Sequence, residues 1–320
     1  MASIRRMELA PKRPYEGPVS DAQPSNWVDL YAPPALKPYL KLARWDRPIG
    51  TWLLLIPGWW GIALAAPRTG SPYPDVFLLL LFAIGALVMR GAGCTFNDIV
   101  DRDIDARVAR TQSRPLPSGA VTLRQAWIFV FIQCLVGFFI VLFLNLFTVL
   151  LGVASLALVA VYPFMKRITY WPQAFLGLTF NWGVLMGWSA VTGNLDWTPI
   201  SVYAAAIFWT IGYDTIYAHQ DKEDDALIGV GSTALKFGEN TKAWLCGFYG
   251  MTAILLTVGG SLAGLGWGFY AVLALGIVHL AHQIVSLHTD QPRVCLKIFK
   301  SNRDFGLLMF GAIIAGNITA

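Results

Sequence analysis

Long apolar blocks, separated by short polar connections, dominate this chain of 320 residues. Each block holds about 20 residues, the length at which an α-helix crosses the hydrocarbon core of a bilayer. About nine blocks meet that criterion, and they run over Arg47–Ala65, Val76–Cys94, Val121–Phe143, Leu146–Met165, Trp171–Val191, Ile200–Tyr217, Ala243–Ala263, Leu265–Leu287 and Phe305–Ala320. The pattern predicts an all-α membrane protein with about nine transmembrane helices.

The composition agrees with this interpretation and excludes an ordinary soluble domain. Hydrophobic residues make up 56% of the chain, charged residues 13%, and the mean hydropathy is +0.54. Residues 1–40 are polar and rich in proline. We therefore predict a cytoplasmic N-terminal tail over residues 1–40 and a multi-spanning domain over residues 41–320.

The basic residues predict how the helices are oriented. If the N-terminus and every second connection lie on one side, all of the 24 basic residues except Arg68 fall on that side. The positive-inside rule then places the N-terminus in the cytoplasm and the C-terminus outside. The net charge of +5 thus reflects topology, and nucleic-acid binding is excluded because no basic soluble face exists.

Acidic residues are concentrated in two places, each after an even-numbered predicted helix. The first cluster, Asn97-Asp98-Ile99-Val100-Asp101-Arg102-Asp103-Ile104-Asp105, has the form NDxxDxxxD. Its spacing puts Asp98, Asp101 and Asp105 on one helical face. The second cluster places Asp221 and Asp225 four residues apart, and Asp214 joins their face if the helix continues.

Like charges at these spacings repel one another, and ionised carboxylates near a membrane lose hydration. A cation is needed to offset that cost. Hard oxygen donors without a His or Cys partner favour Mg²⁺, which is held by a few carboxylates and by phosphate oxygens of a substrate. The alternative is that the aspartates are solvated charges beside the membrane. Two clusters at equivalent helix ends favour the metal site.

A set of basic and polar residues surrounds the acidic clusters. Arg90 shares a helix face with Asn97 and Asp101, which points its guanidinium into the bundle, where it can bind a substrate carboxylate. An internal salt bridge to an aspartate is the alternative. Lys166 and Arg167 follow Tyr162 at a helix end and are candidates for binding diphosphate or for simple membrane anchoring. Arg114, on a proline-stiffened loop just past the first cluster, is a further candidate for binding diphosphate.

These stretches resemble a known family. NDIVDRDID with RTQSRPLPSGAV, then YPFMKR, then GYDTIYAHQDKEDDALIGVGSTAL are similar to the UbiA superfamily of intramembrane prenyltransferases. The chain looks most like its bacterial members that prenylate 4-hydroxybenzoate in ubiquinone biosynthesis. The resemblance covers residues from about Lys41 to the C-terminus.

The resemblance implies nine transmembrane helices around a central cavity that opens to lipid. It implies polyprenyl diphosphate and 4-hydroxybenzoate as substrates, Mg²⁺ as cofactor, and membrane lipid but no nucleic acid as a further partner; no protein partner is implied. Its implied metal ligands are Asp98, Asp101, Asp105, Asp221 and Asp225. Arg90, Asn97 and Tyr162 are implied to bind the acceptor, and Lys166 and Arg167 to bind diphosphate or the acceptor carboxylate.

The mechanistic hypothesis gives Asp101 and Asp221 catalytic roles: Asp101 in the diphosphate site, and Asp221 as an aid to deprotonation of the phenol. We expect residues 218–241 to form a lid, and the enzyme to lie in a bacterial inner membrane or, alternatively, in the mitochondrial inner membrane. The alternatives are another acceptor, dihydroxynaphthoate or homogentisate, or a membrane cation transporter.

Overall fold

A computed structural model describes residues 26–106 and 111–320 of the chain, and within these residues every regular element is a helix. Two short 3₁₀ turns cover Ala66–Thr69 and Gly238–Asn240. The α-helices are α1 (Trp27–Tyr31), α2 (Lys37–Leu42), α3 (Ile49–Ala65), α4 (Val76–Asp105), α5 (Leu123–Val141), α6 (Leu146–Met165), α7 (Pro172–Phe180), α8 (Trp182–Thr192), α9 (Trp197–Ala218), α10 (Lys222–Ile228), α11 (Thr233–Phe237), α12 (Thr241–Leu262), α13 (Trp267–Ser286) and α14 (Pro292–Ile318).

The prediction of an all-helical, multi-pass membrane protein is confirmed. Seven helical stretches of the described residues are long and apolar enough to cross a membrane: Ile49–Thr69, Val76–Asp105, Leu123–Val141, Leu146–Met165, Pro172–Thr192, Thr233–Leu262 and Trp267–Ser286. Helices α9 and α14 occupy the two remaining predicted blocks but are not among the seven. The count of nine spans, and the cytoplasmic N-terminus, stay predictions.

Polar residues in the connections define where the long helices begin. The Asp75 carboxylate accepts hydrogen bonds from two amides at the start of α4, and the Asn145 side chain caps α6. Thr122 and Gln125 form a reciprocal capping box at the start of α5. These caps bind backbone amides that have no partner within their own helix, so the polar connections fix the helix ends.

Helix α3 lies inside the bundle, whereas α4, α5 and α6 lie at its periphery. In α3, 72% of the apolar stretch is buried, against 11% in each of the three peripheral helices. Large apolar side chains such as Phe131, Phe139 and Leu150 are therefore exposed on the protein surface. Such a broad apolar surface is unfavourable in water and fits contact with lipid.

Glycine residues allow α3 and α8 to pack closely. A Cβ atom on Gly187 would lie 2.2 Å from the backbone oxygen of Gly58, and one on Gly61 would lie 2.2 Å from the oxygen of Val184. Neither backbone can move aside without displacing its helix. This is the close backbone approach that small residues permit between membrane helices.

We expect Gly187→Ala to lower the apparent melting temperature by about 5 °C, because the added methyl group must push α3 and α8 apart. Thermal unfolding in detergent, followed by tryptophan fluorescence, measures the effect. Gly247→Ala is the matched control, since nothing lies within 4 Å of a Cβ placed at this glycine of α12. Equal melting temperatures for the two variants would contradict close packing at Gly187.

The N-terminal segment from Asn26 to Trp45 lies against α4 and is closed on itself by polar contacts. The Trp27 indole Nε1 donates to the carbonyl of Trp45 at 2.8 Å, and Lys41 forms a salt bridge with Asp29 at 2.7 Å. Leu42, which is fully buried, belongs to a small core with Leu116, Val121 and Ala126. The predicted boundary at residue 40 falls within α2 of this segment.

Candidate functional site

The three motif aspartates of α4 lie on one buried face at the end of that helix. Asp98, Asp101 and Asp105 are 0%, 1% and 5% exposed, whereas the Asp103 side chain on the opposite face is 79% exposed. The spacing argument is thereby confirmed, because α4 stays helical through Asp105. Burial of three carboxylates so close together requires positive charge around them.

Two arginines supply that charge to the first and third aspartates. Nη2 of Arg44 donates to both carboxylate oxygens of Asp98, at 2.6 and 2.9 Å. Nη1 of Arg114 donates to Asp105 at 2.7 Å and to Asp98 at 3.3 Å. The loop with Arg114 therefore folds back onto the acidic face, as its position in the sequence suggested.

The middle aspartate binds two cations at the end of α6. The ammonium group of Lys166 donates to Oδ2 of Asp101, and Nη2 of Arg167 donates to Oδ1 at 3.0 Å. The amide of Asn97 donates to Oδ2 at 3.1 Å. Lys166 and Arg167 are thus part of the acidic site, and an account of them as membrane anchors alone does not explain these contacts.

The second acidic cluster differs from the sequence prediction in one respect. Helix α9 ends at Ala218 and α10 begins at Lys222, so Asp214 does not continue the face of Asp221 and Asp225. The break has an electrostatic reason: the first turn of α10 contains Glu223, Asp224 and Asp225, and negative charge is favourable at a helix N-terminus. Asp221 and Asp225 are partly buried in this turn and each has an interaction partner.

Backbone contacts connect the second cluster to the first. The amide of Gly231 donates to the carbonyl of Lys166 at 2.7 Å, and the amide of Thr233 donates to the side chain of Gln173 at 3.1 Å. A Cβ atom on Gly231 would lie 2.4 Å from the carbonyl oxygen of Thr169. The segment with Asp221 and Asp225 is therefore anchored beside the lysine that binds Asp101.

Arg90 lies deeper along α4 and has no carboxylate in salt-bridge contact among residues 26–106 and 111–320. Its Nε is buried without a hydrogen-bond partner in that part of the chain, and its guanidinium lies 5.2 Å from the centre of the Phe180 ring. The internal salt bridge considered as an alternative is thus not formed. An unpaired donor at this depth is costly, which is typical of a position that binds a ligand.

Polar groups from other helices surround Arg90. Coulombic interactions join it to Asp214 and Tyr213 of α9 and to Tyr162 of α6. Four polar residues of this region are partly buried: Arg90, Asn97, Tyr162 and Asp214. The structure therefore brings Tyr162, Tyr213 and Asp214 near Arg90, whereas Asn97 donates to Asp101 at the end of the helix.

His219, at the end of α9 beside the second acidic cluster, has a local bond. Its Nε2 lies 3.0 Å from the hydroxyl of Thr241, which in turn donates to the carbonyl of Gly238. Burial, together with the nearby charge of Lys222, lowers the pKa of His219 to about 4. The ring is therefore neutral near pH 7 and joins α9 to α12.

The donor chemistry of the site fits Mg²⁺. Within the described ranges, no three His, Cys, Asp or Glu side chains converge on a point that could hold a metal ion. Mg²⁺ does not need such a cage, since one or two carboxylates and substrate phosphate oxygens suffice. Asp101 and Asp105 offer hard oxygen donors of this kind beside cations that can bind phosphate.

The sequence profile of the UbiA prenyltransferase family matches residues 54–313. The chain belongs to the UbiA prenyltransferase family. Its resemblance to that family, inferred from the two acidic motifs and the YPFMKR stretch, is confirmed.

Two curated relatives in this UbiA family are about half identical to the chain. The mitochondrial 4-hydroxybenzoate polyprenyltransferase of Aedes aegypti is 51% identical over 88% of this chain, which spans 64% of that relative's length. The Bos taurus protein of the same name is 50% identical over 90% of this chain and 77% of its own length.

Among solved structures, a UbiA homolog from Archaeoglobus fulgidus bound to GPP and Mg²⁺ has the same fold. It superposes with a TM-score of 0.65 at 19% identity, and the match covers 86% of this chain and 99% of that one. At this identity the likeness establishes the UbiA fold.

One residue of the UbiA site escaped sequence analysis. Arg44 precedes the first predicted helix and was not distinguished from the other basic residues there. Its contact with Asp98 joins residues 54 positions apart, and no periodic pattern indicates such a pair.

Proposed function

We propose that this UbiA protein transfers a polyprenyl group from polyprenyl diphosphate to C3 of 4-hydroxybenzoate, a step of ubiquinone biosynthesis. The observation that carries the proposal is the arrangement along α4. Aspartates paired with cations lie at the end of the helix, and an unpaired arginine lies deeper along it. The first group suits a diphosphate and its metal, and the second suits an aromatic carboxylate. Both curated relatives are named 4-hydroxybenzoate polyprenyltransferase.

At the diphosphate site, basic side chains that are bound to aspartates would exchange these partners for phosphate oxygens. Lys166, Arg167 and Arg114 have side chains that are 29%, 39% and 22% exposed, so they can turn toward a phosphate while still near the aspartates. Asp101, Asp105, Asp221 and Asp225 would then be the residues that hold Mg²⁺. When bound, Mg²⁺ offsets the negative charge on the departing diphosphate. The basic residues stabilise the same charge through hydrogen bonds.

The acceptor end is built around Arg90. A guanidinium binds a carboxylate through two parallel hydrogen bonds, which would orient the hydroxybenzoate ring. Asn97 and Tyr162 would contact the ring and its substituents. The charge of Arg90 acts on the Asp214 carboxylate. Asp214 is therefore a second candidate, beside Asp221, for assisting proton loss from the phenol. Residues 218–241 would act as the lid that excludes water from the reactive allylic centre.

We place the enzyme in an inner membrane with the acidic rim on the side of the N-terminus. Both curated relatives are named as mitochondrial proteins, which supports the mitochondrial inner membrane for this chain more than the bacterial one. Cell fractionation in the source organism distinguishes the two locations.

The decisive experiment supplies purified membranes with Mg²⁺, a radiolabelled polyprenyl diphosphate and one acceptor at a time. The acceptors are 4-hydroxybenzoate, dihydroxynaphthoate and homogentisate, and the lipid products are extracted. We expect a labelled product with 4-hydroxybenzoate that disappears when EDTA removes Mg²⁺. A product with another acceptor alone would contradict the proposed substrate. Metal flux into vesicles, with no product from any acceptor, would favour a transporter.

A further inference from the structure

Arg44 occupies an unusual backbone position between α2 and α3. Its φ angle is +59°, and it is the only residue other than glycine with a positive φ within 26–106 and 111–320. An L-residue is sterically disfavoured there because its Cβ approaches the backbone. Such a conformation persists only when other contacts hold it.

Those contacts converge on Asp98. The guanidinium donates to both oxygens of the Asp98 carboxylate and, at 2.9 Å, to the carbonyl of Lys41. The side chain of Arg44 is 10% exposed and that of Asp98 is 0% exposed. The pair is therefore enclosed between the N-terminal segment and α4.

The surroundings of Asp98 differ from those of Asp101 in a way that matters for metal binding. The cations on Asp101 are partly exposed and come from α6, at the site itself. Asp98 shares the partly exposed Arg114 with Asp105, but its shorter bonds are to Arg44, a buried arginine that lies between α2 and α3. A phosphate can replace Asp101 at the partly exposed Lys166, whereas the Arg44 side chain is 10% exposed and is held between Asp98 and the carbonyl of Lys41.

We propose that Arg44 is a positioning residue that fastens the N-terminal segment to α4 and keeps Asp98 out of the metal-binding set. The inference rests on the proposed function only for the identity of the ligands, which are Mg²⁺ and the prenyl diphosphate. It removes Asp98 from the five ligands that the family resemblance implied. Asp101 and Asp105 remain as the donors of the first motif.

The same pair also positions residues 111–122, the described part of the loop between α4 and α5. Arg114 binds both Asp98 and Asp105, and Leu42 of the N-terminal segment packs on Leu116 and Val121 of that loop. Fixing Asp98 thus fixes Arg114, and through Arg114 the carboxylate of Asp105. Arg44 acts on the site through this chain of contacts without touching substrate.

A double-mutant cycle in magnesium dependence tests the proposal. Arg44→Met leaves an extra negative charge beside the site and is expected to lower the half-saturating Mg²⁺ concentration about threefold, with a reduced kcat. Asp98→Asn leaves an extra positive charge and is expected to raise it about threefold. The double variant Arg44→Met/Asp98→Asn should return close to the wild-type value. If Asp98 is a metal ligand, the double variant keeps the raised requirement of Asp98→Asn, and the proposal is wrong.

Hydrogen exchange of the substrate-free enzyme gives a readout that does not depend on activity. Arg44→Met and Asp98→Asn should each accelerate exchange of the α2 amides by about tenfold or more, because each removes the attachment of α2 to α4. Lys41→Met is the matched control, since its salt bridge with Asp29 is exposed on both sides. Arg44→Lys should restore part of the protection. Unchanged exchange in Arg44→Met relative to Lys41→Met would overturn the proposal even if the enzyme proves to use a different acceptor.

Discussion

Asp101→Asn is expected to lower kcat/KM for prenyl transfer about 1,000-fold, equivalent to about 4 kcal/mol of transition-state stabilisation. The substitution removes the charge that orders Lys166 and Arg167, and it removes a proposed metal ligand. The amide keeps the size of the carboxylate, and cations released from Asp101 can be solvated at the rim. We therefore expect the variant to fold. Initial rates with saturating Mg²⁺ and varied prenyl diphosphate measure the loss.

Asp103→Asn is the matched control for this experiment. Asp103 lies two residues further along α4, but its side chain is exposed and pairs with the neighbouring Arg102 at 3.1 Å. We expect its activity to stay within about twofold of the wild type, because an exposed ion pair contributes little. Near-normal turnover by Asp101→Asn, or an equal loss in both variants, would contradict the assignment of the buried face as the diphosphate site.

The first acidic motif was predictable from sequence because its geometry is local. Residues spaced by three and four positions share a helix face wherever the helix is unbroken, and α4 remains helical from Val76 to Asp105. The second motif failed the same argument at Asp214, since α9 ends at Ala218. A run of acidic residues stabilises a new helix start more than it stabilises the end of the preceding helix, and the spacing alone does not reveal that break.

The count of nine membrane spans stays a prediction because of α9 and α14. Helices α9 and α14 pack against other helices, α9 against α12 and α14 against α3 and α13. Side chains shielded from lipid do not need to be apolar, so Asn302 of α14 is fully buried and accepts a hydrogen bond from Trp209 of α9. Polar residues of this kind lower the mean hydropathy of a helix, and neither α9 nor α14 is among the seven apolar stretches.

Long-range pairs lay outside the reach of any sequence pattern. The Arg44–Asp98 contact depends on a positive φ angle and on the docking of α2, which are both results of tertiary packing. The lack of a hydrogen-bond partner for the Arg90 Nε among the described residues likewise follows only from the three-dimensional positions of the neighbouring side chains. Helical spacing could orient Arg90 toward the interior, but only the structure shows that no carboxylate of the described residues forms a salt bridge with it there.

Arg90→Met should raise the KM for 4-hydroxybenzoate about 100-fold while leaving the KM for prenyl diphosphate unchanged. The loss of two charge-assisted hydrogen bonds to the acceptor carboxylate corresponds to about 3 kcal/mol, which gives that factor. Steady-state kinetics with each substrate varied in turn separates the two constants. An unchanged KM for the acceptor would refute the anchoring role of Arg90.

A second variant tests the same role without removing the charge. A Cβ atom on Gly50 would lie 2.6 Å from Nε and from Nη2 of Arg90, so Gly50→Ala must displace the guanidinium. We expect a raised KM for the acceptor here too, with the Mg²⁺ requirement unchanged. An acceptor analogue with a carboxamide in place of the carboxylate completes the test. The wild type should bind this analogue poorly. Arg90→Met should bind the analogue and 4-hydroxybenzoate about equally, because the guanidinium that binds the carboxylate is absent.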